Sequence, residues 1–100
     1  MIIPKHTLIV RYLDAAIAHG AREAAIFGFE SDEMLTSRNL RGRCYLNLSR
    51  LREAQAEAEQ VLKFNTSDGT AVLIMAEALY LQCRVRFIAK ASPTRRLKYT

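Results

Sequence analysis

The chain has 100 residues, 50% of them hydrophobic and 25% charged, with two cysteines and a formal net charge of +5. That length holds one small domain or a fragment of a larger one, no apolar run approaches the roughly 20 residues of a membrane span, and two cysteines make no disulfide framework. A cytoplasmic protein in a reducing compartment is expected, with Cys44 and Cys83 as small buried side chains. The opening MIIPKHTLIVRYL is not expected to be a signal peptide, because Pro4, Lys5 and His6 break its apolar stretch.

In chain order, Leu8, Ile9, Tyr12, Leu13, Ala16 and Ile17 recur at helical spacing. His19-Gly20 is expected near a turn into a second helix carrying Ala21, Ala24, Ala25 and Phe27, with Gly28 at its end. Residues 30–33 are polar, and Ser31 or Asp32 can cap the helix that follows. Two amphipathic helices are then predicted over residues 38–48 and 51–64, with a tight turn at Ser49-Arg50. Small Ala54 and Ala58 let two helix axes approach closely. A side chain at Gly42 would push the hairpin apart.

Residues 65–69 end that pair, with Ser67 or Asp68 as a cap candidate. The next segment, AVLIMAEALYLQC, is apolar almost all round, so packing on more than one side is expected. A turn is predicted at Cys83-Arg84. A short partner helix then carries Val85, Phe87, Ile88 and Ala89 and stops at Ser92-Pro93, since the residue before a proline avoids helical geometry. The expected organisation is a helical domain over residues 1–91 and a basic disordered tail over residues 92–100.

The charge is uneven. Arg86, Lys90, Arg95, Arg96 and Lys98 stand in an acid-free tail and account for the whole net charge of +5. A basic tail suits an acidic partner or nucleic acid, the latter also through Arg84. Glu53, Glu57 and Glu59 are read as the exposed flank of a helix beside Arg52 and Lys63. His6 and His19 have no ligand set at metal spacing. There is no glycine-rich phosphate loop and no nucleophile elbow, so neither an enzyme nor a cofactor is expected.

A shift of 34 residues connects the segments. It links Tyr12 with Leu46 and Tyr80, Val10 with Cys44 and Ala78, and Leu8 with Gly42 and Ala76. In the second helices it links Gly20, Ala54 and Ile88, and Ala24 with Ala58. With Gly42, Tyr45, Ala54 and Ala58 at their offsets, the chain over residues 8–88 resembles the tetratricopeptide repeat family. It departs from that family's usual residues at Arg38, Arg41, Ala58 and Thr66. The resemblance implies an all-α, right-handed superhelical stack of antiparallel helix pairs, about two and a half repeats long. Tyr12, Gly42, Tyr45, Leu46, Ala54, Ala58, Ala76 and Tyr80 would pack the repeats.

The concave face of such a stack binds a protein or peptide, here through Arg38, Asn39, Arg41, Arg43, Leu73 and Glu77. A narrower resemblance is to the tetratricopeptide subunits of outer dynein arm docking complexes. It is carried by Arg41, Cys44, Tyr45 and Leu46, by Glu57, Ala58 and Glu59, and by Ala76, Glu77, Leu79, Tyr80 and Phe87. It implies a truncated relative that acts as a scaffold in the axoneme of a cilium or flagellum, with coiled-coil docking subunits as partners and no membrane. The alternatives are a small basic nucleic-acid-binding protein and self-association through the open repeat edge.

Overall fold

The computed structural model describes residues 3–99, with side chains described as far as Ala89. The described chain is all-helical, in the order α1 (Lys5–Phe27), α2 (Asp32–Asn47), α3 (Leu51–Phe64) and α4 (Gly69–Tyr99). Local chemistry sets the ends. Pro4 precedes α1, and Gly28 closes it in the left-handed region at φ 82°. The Ser31 hydroxyl accepts from the Met34 N–H at 3.2 Å, and Asp32 and Glu33 place negative charge in the first turn of α2. The Asp68 carboxylate accepts from the Ala71 N–H at 2.9 Å and caps α4.

The α2–α3 turn is tight. The Ser49 N–H donates to the Leu46 carbonyl at 3.1 Å and the Arg50 N–H to the Tyr45 carbonyl at 2.8 Å. This pair of hydrogen bonds satisfies carbonyls at the end of α2 and holds the residue at the turn in left-handed geometry. That residue is Ser49, at φ 60°, where glycine would sit without strain.

Each helix packs against the next, and α2 also touches α4, whereas α1 reaches neither α3 nor α4 among the described residues. The core runs through Val10, Leu35, Cys44, Tyr45, Ala54, Ala58, Val61, Ala71, Ile74 and Ala78. Alanines on α3 and α4 let these helices lie close. A Cβ on Gly42 would come within 3.4 Å of both the Glu57 Cβ and Ile74 Cγ2, so α2, α3 and α4 converge on that point.

The structure corrects several expectations. The turn at His19-Gly20 is absent and α1 is one helix. Gly20 is used for room, because a Cβ there would sit 2.5 Å from the Met34 sulfur. The turn at Cys83-Arg84 is also absent, since nothing there breaks a helix: residues 70–91 contain no Gly, Pro, Asn or Asp. Helix α4 runs on past Ser92-Pro93, through the segment expected as a disordered tail, to Tyr99. Only the middle pair, α2 and α3, forms a hairpin of the expected kind.

The packing set divides accordingly. Gly42, Tyr45, Ala54 and Ala58 are buried and Leu46 is half-buried, whereas Ala76 is exposed. Tyr12 is 72% and Tyr80 63% exposed, so this triplet does not occupy equivalent niches. The parallel triplet Val10, Cys44 and Ala78 is buried throughout in the one core. Cys83 is exposed rather than buried; both cysteines are free.

Candidate functional site

Helices α2 and α4 lie side by side and leave an open cleft of about 190 Å³ between them. Arg43, Leu46 and Asn47 line it from α2, and Thr70, Leu73, Ile74, Glu77 and Leu81 from α4. At its N-terminal end the cleft continues past Thr36 and Leu40 to Asn39 and Asp68. Half-buried Leu46 and Leu81 and buried Ile74 give it an apolar floor, while Arg43 and Glu77 stand exposed at its rim. Neither rim charge forms an ion pair among the described residues.

Asn39 closes one end. It is buried, and its amide donates to both Asp68 carboxylate oxygens at 3.2 Å. The same Asp68 caps α4, so one carboxylate fixes the start of α4 against the flank of α2. Its sequence signal was the cap position; the Asn39 contact, 29 residues away, has none.

Arg38 and Arg41 lie elsewhere. The Arg38 guanidinium makes two hydrogen bonds of 2.9 Å to Glu30 and reaches Glu57 at 3.6 Å. Arg41 donates to Asp14 at 2.8 Å and pairs with Glu57. Glu57 is 7% exposed. The resulting chain, Asp14–Arg41–Glu57–Arg38–Glu30, runs from exposed Asp14 to buried Glu57 and Glu30 and ties α1, α2, α3 and the loop before α2 together. Burial alone would lower the Arg41 pKa; the Glu57 charge and the hydrogen bonds from Asp14 and Glu57 outweigh it and hold the guanidinium above its ordinary value. Arg41 and Arg50 also flank the Tyr45 ring, at 5.9 and 4.8 Å from its centroid.

Of the six residues expected on a binding face, the cleft therefore gathers Arg43, Leu73 and Glu77, with Asn39 structural at its end. Arg38 and Arg41 are interior ties. Glu57 is likewise not on an exposed flank. Its signal was in the spacing: Ala54, Glu57, Ala58 and Val61 form one i, i+3, i+4, i+7 stripe, the buried face of α3.

Arg86 is exposed; the side chains of Lys90, Arg95, Arg96 and Lys98 lie outside the described residues. His19 pairs with Glu23 at 3.0 Å on the surface. Among the described residues no group of His, Cys, Asp and Glu is placed to hold a metal, and no helix is long and apolar enough to cross a membrane. Comparison with protein-family models, with curated proteins and with solved structures returns no match.

Proposed function

We infer that this chain is a non-enzymatic helical scaffold that binds a protein or peptide in the α2–α4 cleft. One observation carries the reading: Arg43, Leu73 and Glu77 bring a base, an apolar side chain and an acid to one open cleft with an apolar floor. A groove of this kind takes an extended or helical segment that seats apolar residues on the floor. Its occupant would place an acid against Arg43 and a base against Glu77.

A tetratricopeptide-type, right-handed stack is the finer fold we propose. It is supported by the serial packing of successive helices with α2 also on α4, and by the common burial of Val10, Cys44 and Ala78. The narrower proposal, an axonemal docking scaffold with coiled-coil partners, rests on the residue run around Arg41, Cys44 and Tyr45 and on the Ala76–Tyr80 segment alone.

Affinity capture from ciliated-cell extract tests both levels. The unaltered chain is compared with Leu73→Arg and Arg43→Glu, two exposed sites whose substitution leaves the melting temperature unchanged. Coiled-coil proteins retained by the unaltered chain and lost by both variants are the expected result. An identical partner set on all three counts against the cleft.

A further inference from the structure

Helix α4 has three faces. Ala71 and Ala78 pack into the core, with Met75 against it, and Thr70, Leu73, Ile74, Glu77 and Leu81 line the cleft. The third face carries Val72, Ala76, Leu79, Tyr80, Cys83 and Phe87, which recur at three- and four-residue steps and are all exposed. Phe87 is 68% exposed. This third stripe is why the segment reads as apolar almost all round: two sides are used by the fold and the cleft, and the last faces outward. Exposed Arg84 and Arg86 stand on either side of it, and residues 78–100 hold six bases and no acid.

We propose that the outward face of α4 rests on an anionic lipid surface, as a peripheral contact that does not span the bilayer. Charge and apolarity together choose this occupant. A second copy would set two arginine-flanked stripes against each other, and Glu77, the nearest acid on α4, faces the cleft. Nucleic acid would use the bases but leave Leu79, Tyr80 and Phe87 in water, because phosphate contacts reward positive charge and not apolar area. An anionic membrane surface takes both. The apolar side chains enter the headgroup boundary while the bases meet negative headgroups. The cleft lies on another side of the helix and stays open.

Flotation of the full chain with vesicles tests this. Vesicles of phosphatidylcholine alone are compared with vesicles that also contain phosphatidylserine. Binding to the mixed vesicles only, weakened by added salt, is expected. Phe87→Ser lowers the affinity about ten-fold, and Arg84→Gln or Arg86→Gln about five-fold each. Thr70→Ala, in the cleft, leaves it unchanged. Melting temperatures are recorded for every variant, and these exposed substitutions leave them unmoved. Failure to bind the mixed vesicles overturns the proposal. So does binding that Phe87→Ser leaves intact, since the apolar stripe would then play no part. Tighter binding to an RNA duplex than to the mixed vesicles overturns it as well, and gives the face to nucleic acid.

Discussion

Arg41 and Arg43 stand two residues apart on α2 and do opposite things. Two steps of an α-helix turn by about 200°, so one arginine points inward between α1 and α3 and the other outward to the cleft. Arg41 is tied to Asp14 and Glu57; Arg43 lines the cleft and has no ion pair among the described residues. The same side chain is thus a structural tie in one place and, in our proposal, a recognition element in the other. Position around the helix decides which, and residue type does not.

The comparison breaks most sharply at the interior tie. Arg41→Ala leaves Glu57 buried without its main counter-charge, and removing one partner of a buried pair costs about 3–5 kcal/mol. Urea denaturation is expected to show a loss of that size, or a chain that no longer folds. Next comes the end of the cleft. Asp68→Ala removes the cap of α4 and the acceptor of buried Asn39, at a cost of about 2 kcal/mol, read from the same denaturation curve. Ser49→Gly has the opposite sign. It relieves a non-glycine residue at φ 60° and stabilises by about 1 kcal/mol, raising the urea midpoint.

The smallest effect is alkaline. Burial pushes the Cys44 thiol up, and burial, outweighing the nearby arginines, does the same to the Tyr45 phenol. The folded chain therefore keeps these protons at a pH where the unfolded chain releases them. Their contribution is whole below the ordinary thiol and phenol values, about 8.5 and 10, and is lost as pH rises from there through the raised folded-state values. A falling urea midpoint above about pH 8.5, flattened in Tyr45→Phe, is the expected sign. Iodoacetamide at neutral pH labels exposed Cys83 and spares Cys44 until the chain unfolds.

The middle of the molecule was legible in the sequence. The expected span 51–64 is α3, Leu51–Phe64, and Ser31 and Asp68 cap as their positions suggest. Apolar period and cap chemistry act over a few residues, so they survive in the sequence. The outer repeats misled because a 34-residue alignment transfers turns to places that lack turn chemistry. At Cys83-Arg84 no residue stops a helix, and at Gly20 the glycine provides space for Met34 rather than a left-handed turn. At the candidate site, Leu73 and Glu77 fall in the cleft because α4 presents a side to α2. Arg38 and Arg41 leave the cleft because Glu57, an acid on the buried stripe of α3, lies inside; arginines on the facing side of α2 turn to it and satisfy its charge.

The most direct test is a matched charge reversal at the two arginines, with thermal unfolding followed by circular dichroism and partner capture measured on the same preparations. Arg41→Glu is expected to lose the cooperative helical transition. Arg43→Glu is expected to melt with the unaltered chain and to lose its partners. A folded Arg41→Glu with an unchanged melting temperature, or an Arg43→Glu that keeps every partner, would contradict the division of α2 into an inner tie and an outer recognition face.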